Sequence, residues 1–138
     1  MTPMQVRSVT SSFGLLRPIA DKAGLMFYER LFQLDPSLRP MFKGDITEQS
    51  RKLMQTLATV VGALDNLDTV VPAVQALGAR HADYGVRDRH YDTVAQALLW
   101  TLKNGLGAAF TPEVEASWAA AYTILADTMK ASARLKDS

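Results

Sequence analysis

Two histidines, His81 and His90, and two uncharged polar side chains set among apolar neighbours, Tyr28 and Gln49, are the residues of this chain best equipped for chemistry. An imidazole offers a metal-ligating lone pair or a titrating proton, while a phenol or a primary amide offers hydrogen-bond donors to a small ligand. His81 stands where an apolar stripe ends: Val70, Val74, Leu77 and His81 follow at steps of four, three and four, and so share one side of a helix. Read alone, such a histidine is more often a satisfied core residue than a ligand, because burying it without a partner is costly. Gln49 lies in line with Leu53, Leu57 and Val60, but near a helix start, where water can satisfy it. Other chemistries lack their residues. There is no cysteine, which excludes thiolate catalysis, zinc–cysteine sites and iron–sulfur clusters. No phosphate-cradling glycine loop, HExxH or GxSxG is present, nor the paired Glu-x-x-His of a di-iron bundle.

The elements that must position these residues read as helices throughout. Convincing period-2 alternation is missing, so the pattern predicts an all-α chain of five substantial helices with short connectors. The first helix is placed at Pro3–Leu16, with Met4, Val6, Val9, Phe13 and Leu16 inward, and Pro18 ends it. A second runs from Ile19 to Leu34 and carries Tyr28. Asp35-Pro36 restarts the chain into one or two short turns as far as Phe42. Asp45, with Glu48 three residues on, caps a helix to about Leu64 that carries Gln49. In the His81 segment Pro72 fits a first turn, with Asp68 or Thr69 as cap, and Gly85 is the break. Tyr91 opens a helix to Leu106, and Thr111-Pro112-Glu113 opens the last, to about Leu135, with Val114, Trp118, Tyr122, Leu125 and Met129 as its main face.

At 138 residues the chain reads as one domain, 1–138, able to bury roughly 68–70% of its unfolded surface. A net charge of +1 gives no electrostatic footprint for nucleic acid and no polybasic membrane anchor. No apolar run approaches the ~20 residues of a membrane span, and no signal peptide is visible, so a cytoplasmic protein is expected.

Several short words, taken in order, are specific. Phe27-Tyr28-x-x-Leu31-Phe32, Pro36 with Met41-Phe42, Gln49-Ser50-Arg51-Lys52-Leu53, Arg80-His81-x-x-Tyr84-Gly85-Val86, His90-Tyr91 and Trp118-x-x-x-Tyr122 run through nearly the whole chain. In these the chain resembles the single-domain bacterial globins, and especially the haem domain of flavohaemoglobins. The resemblance implies the globin fold, a three-over-three helical sandwich around a haem, with haem b (iron protoporphyrin IX) as cofactor. It makes His81 the proximal iron ligand, packs Phe42 against the haem plane, and sets Val74 and Leu77 beside the cofactor. Tyr28 and Gln49 become distal hydrogen-bond donors, with Leu53 walling the gas pocket, while Tyr91 belongs to a proximal network with the histidine. His90 matches no ligand position and is expected in a connector, exposed to solvent or touching a haem propionate.

What the resemblance implies for function is a pentacoordinate haem protein binding O2, NO and CO reversibly, with tight O2 binding or storage and a capacity for NO detoxification. Flavohaemoglobins oxidise NO to nitrate with an attached flavin reductase; 138 residues cannot hold one, so a separate reductase is expected if this chain turns over. In that family a glutamate late in the last helix completes the proximal network. Here Lys130 to Lys136 contains no acid, which favours a binder over an enzyme and a histidine that donates to a backbone carbonyl. A gas-sensing module acting through a partner protein, and a haem-free helical bundle, are the other readings. The expected assembly is a monomer or weak homodimer.

Overall fold

Several helix starts fall where the sequence supplies a side-chain cap. The computed structural model describes residues 1–137, and among them the ordered elements are all helical. Six α-helices form rather than five: α1 Pro3–Leu16, α2 Ala20–Leu34, α3 Ile46–Gly62, α4 Val71–Asp83, α5 Asp88–Leu106 and α6 Pro112–Asp137. Thr2 and Gln5 make a reciprocal capping box at α1. Asp45 accepts from the Thr47 N–H at the start of α3, and Thr111 from the Val114 N–H at α6. Between α2 and α3, Asp35 caps the short 3₁₀ stretch Pro36–Met41 through the Ser37 N–H.

Three expectations need correction. The N-cap of α4 is Val70, with no side-chain cap; Asp68 and Thr69 instead lie in the preceding 3₁₀ turn, Leu67–Thr69, and the Thr69 hydroxyl turns back to the Asn66 carbonyl. α5 starts at Asp88, three residues before Tyr91, because His90 supplies the acceptor that closes its first turn. Met4 is 60% exposed, so the buried face of α1 is Val9, Phe13 and Leu16.

The layers pair α1 on α6, α2 on both α3 and α5, and α4 on α6. Two glycines set the closest approaches. A Cβ at Gly24 would come 2.8 Å from the Ser50 side chain, so α2 crosses tightly over α3 and draws Tyr28 toward Gln49. A Cβ at Gly78 would come 2.5 Å from the Met129 carbonyl oxygen, so α4 lies backbone-close on α6 just before His81. Leu31, Leu102 and Leu16 are buried in the core, each contributing about 1.5–3 kcal/mol by leaving water. The Trp118 indole within it donates to the Ser12 hydroxyl at 2.8 Å, which in turn donates to the Ser8 carbonyl. Among the described residues no helix is long and apolar enough to cross a membrane.

Candidate functional site

Tyr28 reaches the site from the buried face of α2, one turn before Leu31, and its ring packs among Phe27, Phe32 and Phe42 with centroids 5.0, 6.0 and 5.2 Å away. Phe42 is delivered by the proline-led 3₁₀ stretch, which turns the chain back over α2. Gln49 and Leu53 stand one turn apart on α3, and Val74, Leu77 and His81 on α4 face them. Tyr91 enters from the first turn of α5. All eight line a single cavity of about 210 Å³. Tyr28, Phe42, Gln49, Leu53, Leu77 and His81 also line a wider recess of about 710 Å³, rimmed by Lys43, Lys52 and Arg80. Val70, first in the α4 stripe, packs on the core instead.

The electrostatics follow from burial. Desolvation pushes the Tyr28 phenol up to about 12, with the neighbouring Gln49 side chain opposing the rise, so at neutral pH Tyr28 is a proton-bearing donor. Gln49, although in the first turn of α3, is half-buried beside another polar group rather than exposed as its position alone indicated. Burial also lowers the His81 pKa, against the opposing effect of its bond to the Leu77 carbonyl. His81 Nδ1 lies 2.8 Å from that carbonyl oxygen. A carbonyl can only accept, so Nδ1 carries the proton and the neutral ring keeps its lone pair on Nε2.

His90 is neither exposed nor in a connector. It lies within α5 at 3% exposure, lines the same cavity, and accepts the Arg87 N–H on Nδ1 at 2.8 Å. Capping a helix start is a task a histidine rarely performs, which is why its spacing did not indicate it. Opposite Tyr91, the Lys130 ammonium sits 5.5 Å from the ring centroid, so a cation occupies the stretch where an acid was missing. Tyr122 donates its phenol to the Tyr91 carbonyl at 2.7 Å and pins α6 to α5 there. Met41, Thr56, Val86 and Met129 are among the further lining residues. Met129 was legible in the inward face of the last helix and Val86 in the word that follows His81, whereas Thr56 carries no signal of its own.

The donor set suits a flat, largely apolar cofactor that carries a metal. The walls from α3 and α4 are Leu53, Leu57, Val74 and Leu77, one imidazole offers a free lone pair, and cations rim the recess where carboxylates could reach them. No cluster of three or more His, Cys, Asp or Glu that could itself hold a metal ion occurs among the described residues.

An all-helical fold with one lone-pair histidine facing a phenol and an amide across an apolar slot defines a haem-pocket protein by class. The chain belongs to the globin family, whose model matches residues 25–129. Among its relatives, a flavohemoprotein of Bacillus subtilis is 37% identical over 127 residues, covering 88% of this chain and 31% of that protein. The chain thus spans about a third of the flavohemoproteins it matches. An anaerobic nitrite reductase of Brassica napus is 30% identical over 152 residues, covering 99% of this chain and 94% of that one. A bacterial globin from Campylobacter jejuni superposes with a TM-score of 0.86 at 23% identity, over 99% of this chain and 100% of that chain, which shows the shared fold.

Proposed function

We propose that this chain, as a single globin domain over 1–138, holds haem b through His81 Nε2 and binds O2, NO and CO reversibly on the side facing Tyr28 and Gln49. The observation that carries the reading is the His81 ring, fixed by its Nδ1–H bond to Leu77 so that its lone pair is offered to the cavity. Haem, when bound, supplies the iron site at which a diatomic gas coordinates. The chain's own residues do the rest. Leu53, Leu57 and Val74 would exclude water, Phe42 and Leu77 would hold the cofactor by packing, and Lys43, Lys52 and Arg80 would be the cations available to its carboxylates at the recess.

Tyr28 and Gln49 donate hydrogen bonds to a gas that has drawn negative charge onto itself, which strengthens O2 retention over CO. Neither is an imidazole, so neither would be a strong competitor for the iron when haem is bound. The stretch from Lys130 to Lys136 supplies no acid to make His81 more electron-rich: Lys130 sits over Tyr91, and His81 donates to a neutral carbonyl. That arrangement favours tight O2 binding with stoichiometric NO oxidation over sustained turnover. Rapid mixing of the oxygenated protein with NO, repeated with a reductase and its nucleotide, tests the balance. One turnover per chain is expected, and sustained turnover makes the protein a dioxygenase served by a separate reductase.

A second reading has a specific support: the near full-length similarity to a protein named as an anaerobic nitrite reductase. Nitrite added to the reduced protein without oxygen discriminates it. NO release well above that of a Tyr28→Phe, Gln49→Leu control favours that reading.

A further inference from the structure

The turn that joins α4 to α5 is closed by the His90 ring. Its three N–H groups each have an acceptor: Gly85 donates to the Ala82 carbonyl at 3.1 Å, Val86 to the His81 carbonyl at 3.0 Å, and Arg87 to His90 Nδ1 at 2.8 Å. The first two bonds tie the turn to the end of α4. The third, with the His90 N–H returning to the Arg87 carbonyl at 3.0 Å, ties it to α5. We propose that His90 is a positioning residue for His81, operated by a proton: its neutral ring clasps the turn that follows the iron ligand, and protonation opens the clasp and loosens the haem. The loosening rests on the haem-binding reading above; the clasp does not.

A ring nitrogen that accepts an N–H carries no proton, so neutral His90 holds its proton on Nε2. A second proton must go to Nδ1, where it meets the Arg87 N–H; two donors then face each other and the bond is lost. The ring is 3% exposed, so a charged His90 must swing out to water. Arg87 is left with a free N–H at the start of α5, and its neighbour Val86, which lines the cavity, loses that anchor. Burial holds the His90 pKa below the ordinary histidine value, helped by the Arg89 and Arg87 cations and opposed by the Asp35 carboxylate at the C-cap of α2. From the cavity side the titratable groups are His81 and the Tyr28, Tyr91 and Tyr122 phenols, whose raised pKa values keep them uncharged. The clasp is therefore closed above about pH 6.5 and opens as the pH falls through the lower folded value. By reciprocity, haem that needs the closed turn makes the ring harder to protonate.

Glutamine is a usual residue at this third position of a capping box, and its amide oxygen accepts at every pH. His90→Gln thus keeps the clasp and removes its response to protons. In NMR of the reduced, CO-liganded protein from about pH 8 to about pH 5, the Arg87 amide should shift and exchange faster with the midpoint of the His90 ring. It should stay put in His90→Gln. Haem transfer from the ferric protein to an excess of a second haem-binding protein is the other readout. Acid should accelerate it in the parent roughly tenfold more than in His90→Gln, the size of one broken hydrogen bond. The acceleration left in His90→Gln is the share of His81 itself. An Arg87 amide in the parent that does not move over that range, or equal acid acceleration in parent and His90→Gln, overturns the proposal. A chain that took up no haem would count against the function proposed above, while the Arg87 titration in the apoprotein would still decide the clasp.

Discussion

Removing the Tyr28 hydroxyl tests the gas-facing side of the pocket with almost no change of shape. Tyr28→Phe keeps the ring contacts with Phe27, Phe32 and Phe42, at centroid distances of 5.0, 6.0 and 5.2 Å, and deletes one oxygen from a residue that is 5% exposed. With its pKa near 12, the phenol is a neutral donor across the physiological range, so the variant loses a hydrogen bond and no charge. A hydrogen bond to a charged acceptor is worth about 1.5–3 kcal/mol, and 1.4 kcal/mol is tenfold, so O2 dissociation should accelerate by at least roughly tenfold. CO, which gathers less charge, should change much less. Gln49→Leu alone should act in the same direction but more weakly, because Gln49 is only half-buried. Since Gln49 also interacts with Tyr28, the double variant should fall short of the summed single effects. The assay is stopped-flow replacement of O2 by CO. An unchanged O2 off-rate in Tyr28→Phe would show that the hydroxyl does not reach the gas.

Gly78→Ala places a Cβ 2.5 Å from the Met129 carbonyl oxygen and 2.6 Å from its Cα, so α4 must lift from α6. A loss of about 1–3 kcal/mol in urea unfolding is expected, with weakened haem retention, and an unaltered midpoint would contradict that packing. His81 and His90 are both held below the ordinary histidine pKa, chiefly by burial, so the folded apoprotein prefers them neutral. Its stability should be full above about pH 6.5 and fall as the pH drops from there through the lower folded values, because the unfolded chain takes up protons first. Urea midpoints between pH 8 and 5 check this, and a midpoint that rises on acidification contradicts it. Lys130→Glu exchanges the cation over Tyr91 for an anion; spectroelectrochemistry should show a lower haem reduction potential, since the more positive ferric form gains.

Much of the site was legible because helical period and composition carry it. The steps from Val74 to Leu77 to His81 put three cavity residues on one face of α4, and the line from Gln49 to Leu53 did the same for α3. What periodicity cannot convey is how the faces meet. The near-contacts of Gly24 with Ser50 and Gly78 with Met129, which aim those faces at one another, depend on residues far apart in the chain. His90 escaped for a different reason: its ring serves the local backbone of Arg87, an unusual partner that outweighs its tendency to be solvated. Side-chain caps expected at Asp68 or Thr69 failed because a 3₁₀ turn ends there, and Thr69 turned its hydroxyl to the Asn66 carbonyl. Lys130 was visible only as the lack of an acid, and its position over Tyr91 required the packing of α6 on α5.

The central claim is that His81 presents Nε2 to a haem, and haem titration of the apoprotein beside His81→Gly tests it most directly. The parent chain should take up one haem with a sharp Soret band and, when reduced, the spectrum of a five-coordinate histidine complex. His81→Gly should lose that spectrum and regain it on addition of imidazole, because the ring is restored without its tether to Leu77. A reduced spectrum in His81→Gly identical to that of the parent, without imidazole, would contradict the account.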